Sequence, residues 1–393
     1  MKQMAQLSDN SVDSIVTDPP YGLSFMGKKW DYDVPSVDIW IECLRVLKPG
    51  GHLLAFAGTR TQHRMAVNIE DAGFEIRDMI AWVYGSGFPK SLNIGKAVDK
   101  LQGNDREVVG ISNNGAGNIV IENLTGSATD EQRVTVSPVR QREGKESFKE
   151  FEITKGNSPY EGWGTALKPA LEPITVARKP IKGTVADNVL KWGTGGLNID
   201  ECRVGVRTEN ESGWSKSGSK ASENRSMSGA NYDRDAKDEA GTGRWPANLI
   251  HDGSEEVERL FPSEEDVSQS RFFYCAKASK SDRDEGLEVF EAKFAPTMGK
   301  GIGGKEHNPE TATPKRNHHP TVKPTDLMRY LVKLVTPPAG IVLDPFMGSG
   351  STGKACVSEG FSFIGIEMQQ EYMDIAKARI EREKQKGIQS DLF

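Results

Sequence analysis

The chain has 393 residues, 36% hydrophobic and 27% charged, with a formal net charge of −6; this is enough to bury a large core, organised as one large and one smaller domain or one domain with a long insertion. The acidic balance argues against a non-specific polyanion binder but says nothing about any single cleft. No apolar run approaches the roughly 18 residues of a membrane span and the first six residues lack a secretory core, which points to a cytoplasmic protein; Cys43, Cys202, Cys275 and Cys356 show neither disulfide nor zinc spacing.

In chain order, Ser14-Ile15-Val16-Thr17 reads as a strand that stops in Asp18-Pro19-Pro20-Tyr21. Two prolines lack the N–H of a ladder and fix φ, so the chain leaves the sheet there with a stiff carbonyl beside a carboxylate. That pairing suits gripping an amino group, although the tetrapeptide alone is equally readable as a turn. Residues 37–47 carry apolar side chains at helical spacing and end at Lys48-Pro49-Gly50-Gly51, a helix stop followed by a turn. Residues 52–57 predict a buried strand, 61–72 a helix and 74–84 a strand or hairpin arm. Residues 1–90 thus alternate as in an open α/β sheet.

From 91 to 165 apolar residues fall out of register, which predicts an inserted, partly mobile segment. Residues 166–180 return as a strand, with Pro173 placing it at an edge or a strand start. Residues 181–315 are irregular again, including a Ser/Gly/Asn/Asp-rich run at 213–243, yet Trp192, Trp245, Phe272, Phe273 and Tyr274 supply apolar bulk for a small folded module. Two basic clusters read as solvated surface or as a groove lining: Lys315, Arg316, His318 and His319 with Lys323 and Arg329, and Arg140, Arg142, Lys145 and Lys149. Residues 316–386 are strongly patterned, with helices at 324–334, 351–359 and 371–386 and strands at 341–343 and 361–366. The two patterned ends look like two halves of one sheet.

The second constellation is Asp344-Pro345-Phe346-Met347-Gly348-Ser349-Gly350-Ser351-Thr352-Gly353, a strand end running through a glycine-rich turn into a helix. Such a turn lets backbone approach a ligand and points helix N–H groups at it. Residues 348–354 also spell G-x-x-x-x-G-K, nearly a phosphate-binding P-loop, but Ala355 stands where a hydroxyl would hold magnesium. Glu367, at the end of the following strand, is placed to accept ribose hydroxyls. A nucleoside ligand is favoured, with a P-loop nucleotide hydrolase as the alternative.

On these residues the chain resembles the S-adenosylmethionine-dependent DNA amino-methyltransferases of the permuted beta class, in which Asp-Pro-Pro-Tyr comes first, target recognition lies in the middle and the cofactor loop comes last. The resemblance runs over residues 8–90, 165–180 and 318–385. It implies an α/β fold with a circularly permuted Rossmann-like methyltransferase sheet: 1–90 the catalytic half, 91–165 an insertion, 166–180 a returning strand, 181–315 the target-recognition region, 316–386 the cofactor-binding half and 387–393 a tail. Carried over by motif, Asp18, Pro19, Pro20 and Tyr21 are the catalytic tetrapeptide. Asp344, Phe346, Gly348, Gly350 and Thr352 form the cofactor loop, Glu367 is the ribose acid, and His319, Thr321 and Lys323 surround the methionine end. The implied cofactor is S-adenosyl-L-methionine and the implied partner is double-stranded DNA, in a restriction–modification setting, without metal or membrane. A homodimer is compatible with the sequence.

The chemistry so implied is in-line attack of an exocyclic amine on the sulfonium methyl, with Asp18 and the Pro19 carbonyl accepting the amine's hydrogen bonds and Tyr21 stacking on a flipped base. Methylation at cytosine C5 is rejected, because its nucleophilic cysteine follows a proline and none of the four here does. Asp at the first motif position favours adenine N6; cytosine N4, or a catalytically impaired DNA- or clamp-binding relative, are the alternatives. Relatives carry an edge strand ending in Gly-Asp upstream of the helix before the tetrapeptide, whereas this chain starts at Met1 inside that helix, so a missing edge strand and weakened cofactor affinity are expected. Gln389-Ser390-Asp391-Leu392-Phe393 resembles the peptide by which bacterial proteins bind the sliding clamp.

Overall fold

The computed structural model describes residues 2–23, 31–87, 91–113, 119–120, 150–205, 243–264, 267–276, 280–292 and 315–390. They divide into two compact units, Met1–Ser86 with Ala170–Phe393, and Gly87–Pro169.

The first unit is built on Val12–Thr17 (β1), whose β-branched residues are buried along its whole length and suit a strand covered on both faces. Asp13 is tolerated inside it because Lys48 Nζ (2.6 Å) and the Ile341 N–H (2.8 Å) satisfy the carboxylate. No strand precedes β1 among the described residues; Met4–Gln6 is a 3-10 turn. Val37–Val46 (α1) buries Trp40, Cys43 and Val46. Leu47–Phe56 (β2) then begins directly, so Lys48-Pro49-Gly50-Gly51 lies inside a strand rather than in the expected turn. Gly50 at φ +79° and a register shift opposite Val12 and Ser14 absorb the irregularity. The Pro49 carbonyl is taken by Asn188 Nδ2 and the Thr194 hydroxyl. Gln62–Asp71 (α2) and Glu75–Val83 (β3) follow.

The second unit holds Ile94–Gln102 (α3) and an antiparallel sheet of Glu107–Asn113 (β4), Ile119–Val120 (β5) and Glu150–Lys155 (β6), ordered β5-β4-β6. Arg106, on the loop after α3, bonds both Asp99 and Glu161. The region thus contains regular structure where the sequence predicts irregular chain. Arg140, Arg142, Lys145 and Lys149 lie outside the described residues.

Back in the first unit, Leu171–Arg178 (β7) lies between β2 and β3, antiparallel to both. Pro173 therefore marks a strand start but not an edge. It is the third residue of an interior strand, and its carbonyl accepts from the Ala57 N–H (2.9 Å). Val185–Trp192 (α4), opened by a capping box of Thr184 and Asp187, is followed by Leu249–His251 (β8), Glu255–Glu258 (α5), a hairpin of Ser263–Glu264 (β9) and Val267–Ser268 (β10), and Tyr274–Cys275 (β11). β8 and β11 extend the main sheet by pairing with β3 and with each other. The aromatic residues of this region therefore do not all belong to a separate module: the Tyr274 ring stacks on Tyr330 at 4.0 Å. Residues 206–242, most of the Ser/Gly-rich run, lie outside the described residues.

The chain closes with Lys280–Asp284 (α6), Thr325–Val335 (α7), Ile341–Asp344 (β12), Ser351–Ser358 (α8), Ser362–Gly365 (β13) and Gln370–Ser390 (α9). The eight-stranded order is β11-β8-β3-β7-β2-β1-β12-β13, parallel except for β7. β13 forms one edge of the sheet, with no strand from the residues before β1 beside it among the described residues, and β8 and β11 extend the opposite edge. One core face packs Leu53, Ala55 and Leu343 with α1 and α2; the other packs Leu54, Phe56 and Val342 with α7 and α8, each fully buried large side chain being worth roughly 1.5–3 kcal/mol. α9 runs on to Ser390, past the expected boundary at 386. Asp391, Leu392 and Phe393, the end of the clamp-like peptide, lie outside the described residues. Among the described residues no helix is long and apolar enough to cross a membrane.

Candidate functional site

After β1 the chain turns through α1 to β2 on one side; after β12 it turns through α8 to β13 on the other. α1 and α8 pack on opposite faces, so the carboxyl ends of β1 and β12 part at a topological switch point, where open α/β sheets bind ligands. A cleft of about 600 Å³ lies there. Its walls include Asp18, Pro19, Pro20 and Tyr21 from the end of β1, and Asp344, Phe346 and Gly348 from the end of β12. The two strands pair directly, Ser14 with Val342 and Ile15 with Leu343. The Thr17 hydroxyl donates to Asp344 Oδ1 (2.7 Å) and ties the two ends together. Asp18 and Asp344, 326 positions apart, therefore face one cavity.

The tetrapeptide is held from outside itself. Asp31, 2% exposed, accepts from the backbone N–H groups of Tyr21, Gly22 and Leu23 (2.7, 3.0 and 3.2 Å) and fixes the turn that follows. Lys323 Nζ donates to Asp18 Oδ2 (2.7 Å), and the Tyr21 hydroxyl reaches Asp18 Oδ1 (2.8 Å). Burial raises the Asp18 pKa; Lys323 opposes this and Glu172 adds to it. For Lys323, burial works against the charged form, but Asp18 and Glu172 more than offset it and lift its pKa. The Tyr21 phenol is lifted well above its ordinary range by burial and the two carboxylates, so it stays protonated as a donor. Lys323, which the resemblance places with the cofactor, thus has its ammonium against the tetrapeptide.

The glycine-rich turn is a scaffold under the cleft floor. Asp344 accepts from Thr352 (2.6 Å), Thr17 (2.7 Å) and the Phe346 N–H (3.1 Å). Glu367 accepts from the N–H groups of Gly348, Met368 and Gln369 and so joins β13 to the turn. Gly348 sits at φ +52°, and a Cβ there would lie 2.8 Å from His319 Nε2. Burial and then Lys323 lower the His319 pKa to about 3, so the imidazole is neutral. Its Nδ1 accepts from the Thr321 N–H, leaving the hydrogen on Nε2. Gly350, at φ +80°, is not part of the cleft wall. A Cβ there would meet Ala376 of α9 at 2.9 Å, so its glycine is demanded by helix packing.

Asp344 gives a pH-dependent prediction. Burial raises its pKa to about 6 despite three donors. Between its ordinary value of 3.8 and about 6 the folded state holds the proton that the unfolded chain releases, so stability falls as pH rises through that window. Asp344→Asn, whose amide oxygen can accept from Thr17 and Phe346 while its NH2 donates to a reversed Thr352 hydroxyl, should be more stable than the parent above pH 6, by about 3 kcal/mol. The gain should vanish near pH 4, as thermal melts at the two pH values would show.

Sequence reasoning missed several residues here. Glu172, at the start of β7, reaches Tyr21 (3.0 Å) and Lys323 (3.1 Å), its side chain 19% exposed; the signal available was an acid immediately before Pro173 where a strand opens. Arg379, fully buried in α9, donates to the Ser349 carbonyl (2.7 Å) and the Asp282 carbonyl (3.2 Å). Arg283 holds the carbonyls of Asn317 and His319, and Asp282 caps Thr325. A segment assigned to target recognition is therefore built into the cofactor half. Lys354, the lysine of the near P-loop, is turned away from the cleft and bonds Asp282 (2.6 Å) and Glu285 (2.7 Å), which removes the phosphate-binding charge of that reading.

A mostly parallel α/β sheet with an acid and a rigid carbonyl facing a glycine-rich turn across its switch point has the layout in which open α/β folds bind their ligands. The chain belongs to the DNA methylase family N6_N4_Mtase, whose model matches residues 12–378. Among curated proteins it is 38% identical over 71 residues to the type II methyltransferase M.ScaI of Streptomyces caespitosus, covering 18% of this chain and 23% of that one. It is 42% identical over 77 residues to the putative methylase YubD of Escherichia coli (strain K12), covering 19% and 34%. The matched parts thus span about a quarter and about a third of those relatives. Among solved structures it is similar to an M1.HpyAVI–SAM complex (17% identity, 96% of this chain and 93% of that one, TM-score 0.37). It is similar also to the PvuII DNA methyltransferase, cytosine-N4-specific (13% identity, 96% and 82%, TM-score 0.39).

Proposed function

We propose that this protein transfers a methyl group from S-adenosylmethionine to the exocyclic amino group of a base in double-stranded DNA, with adenine N6 as the favoured acceptor. The observation that carries the reading is the shared cleft: Asp18 and the glycine-rich turn come from adjacent parallel strands and line one cavity. Membership of the DNA methylase family supports it. The cavity suits the cofactor, with a volume in the range of nucleoside-sized ligands. Glu367 would accept the ribose hydroxyls, Phe346 would flank the base, and the neutral His319 Nε2–H would donate at the methionine end. When bound, the cofactor supplies an electrophilic methyl on a sulfonium.

The chain's own residues do the rest. An aromatic amine is a poor nucleophile because its lone pair is delocalised into the ring. Asp18 and the Pro19 carbonyl accept its two N–H bonds and turn the lone pair toward the methyl donor, so that positioning and electrostatics carry the step. Tyr21 presents its ring to the base. Preference for adenine over cytosine rests on Asp18 as the first motif residue. Expression in a host lacking modified bases, followed by sequencing that detects N6-methyladenine and N4-methylcytosine, tests it. N6-methyladenine at one recurring sequence is the expected result; N4-methylcytosine would reverse the base, and unmodified DNA would refute the activity.

A further inference from the structure

Lys323 and Glu172 come from the loop before α7 and the start of β7, distant in sequence from each other and from Asp18. They nevertheless meet at Asp18: Lys323 Nζ lies 2.7 Å from Asp18 Oδ2 and 3.1 Å from Glu172 Oε2. The Tyr21 hydroxyl lies between the two carboxylates, 2.8 Å from one and 3.0 Å from the other. The ammonium is buried at 6% exposure and sits 5.0 Å from the Phe56 ring centroid and 5.5 Å from that of Tyr21. Gathering a buried ammonium and two largely buried carboxylates, whose side chains are 18% and 19% exposed, is costly unless the arrangement is used or fully satisfied.

We propose that Glu172 and Lys323 are positioning residues for methyl transfer, a pair that fixes both the orientation and the ionisation of the Asp18 carboxylate. The inference rests on the reading of Asp18 as the acceptor of the amine. Two neighbouring carboxylates without a cation would share a proton, and a protonated Asp18 presents an O–H where the amine needs a lone pair. Lys323 prevents this. A lysine has four rotatable bonds and swings freely when unpartnered; Glu172 gives the ammonium a second anchor, while the single Tyr21 O–H points between the two carboxylates, nearer Asp18. Each Asp18 oxygen, having taken one donor, keeps a lone pair for the substrate. The groups facing Asp18 from the surrounding elements are Tyr21, Glu172 on β7, Lys323 before α7 and Asp344 on β12. Tyr84, after β3, faces Glu172 in turn.

The direction of each electrostatic effect makes the pair testable. Lys323 favours the charged form of Asp18 and Glu172 opposes it, so removing them should move the acidic limb of the pH–rate profile in opposite directions. Transfer of tritiated methyl from S-adenosylmethionine to unmethylated genomic DNA would be followed under single-turnover conditions for the parent, Glu172→Gln, Lys323→Met and Lys323→Arg. The limb should move to lower pH in Glu172→Gln and to higher pH in Lys323→Met, and stay in place in Lys323→Arg. The plateau rate should fall by about 10²-fold in Lys323→Met, as misplacement of a reacting group does. Calorimetric cofactor binding, kept in each variant, reports folding. If Lys323→Met loses that binding, Glu172→Gln decides alone: a downward shift supports the pair, an unmoved limb overturns it. Limbs that stay put in both, or move the same way, also overturn it. Asp18→Asn separates the two levels, because full turnover in that variant refutes the acceptor reading itself, whereas lost turnover with unmoved limbs refutes only the positioning pair.

Discussion

Asp18→Ala is expected to lower methyl transfer to DNA by about 10²–10³-fold, the scale seen when one preorganised charge-stabilising group is removed from an active site, while cofactor affinity stays within a few-fold of the parent. The separation follows from the bonds of the cleft. The floor is held by Thr17, Thr352 and Phe346 on Asp344 and by Gly348, Met368 and Gln369 on Glu367, none of which involves Asp18. The buried Lys323 is not orphaned by the change, because Glu172 remains 3.1 Å away. Labelled methyl transfer and calorimetry with S-adenosylmethionine read the two effects separately. Retained turnover would remove Asp18 from the mechanism, and a parallel loss of cofactor binding would make it structural.

Arg379→Met should destabilise the first unit by about 3 kcal/mol, the low end of the cost of breaking a buried charged network, and should weaken cofactor binding with it. The guanidinium is fully buried beneath the glycine-rich turn, where one nitrogen holds the Ser349 carbonyl and the hydroxyls of Ser349 and Ser351 and another holds the Asp282 carbonyl. Methionine fills most of that volume but leaves those acceptors unpaired, at about 1–3 kcal/mol for a buried one. Ser351 in turn donates to the Lys323 carbonyl (2.9 Å), so loosening the turn also loosens the cation beside Asp18. Chemical denaturation, with cofactor titration at a temperature where the variant is folded, would measure both. Unchanged stability would mean that the turn is held by Gly350 against Ala376 and by Asp344 alone.

Local signals were legible where the chain's own chemistry leaves one conformation. Two prolines end β1 at Asp18 in any context, because neither can donate to a ladder, and Gly348 and Gly350 both adopt the positive φ their turn requires. Ala355 argued against the P-loop from sequence but left it as an alternative, and the structure removes the lysine of that reading by burying Lys354 against Asp282 and Glu285. Where the sequence misled, a long-range partner overrode local preference. Lys48-Pro49-Gly50-Gly51 spells a turn but is drawn into β2 because distant partners take its polar groups: Asp13 the Lys48 ammonium, Asn188 and Thr194 the Pro49 carbonyl, and Lys179 the Gly50 N–H and the Gly51 carbonyl. Pro173 allowed an edge or a strand start, and only the second holds: β7 is interior, with the proline near its beginning, its carbonyl accepting from the Ala57 N–H.

The sequence by itself thus determined the α/β class, the two chemical centres and the family to which they point, since each is written in residues within a dozen positions of one another, where backbone sterics decide. Only the tertiary structure decided what stands beside those centres. Glu172, Lys323, Asp31 and Arg379 act through hydrogen bonds and ion pairs to residues far from them in the chain. An acid, two cations and another acid on scattered elements carry no periodicity or spacing that a sequence can display; their meaning is created by the order in which the strands are laid side by side.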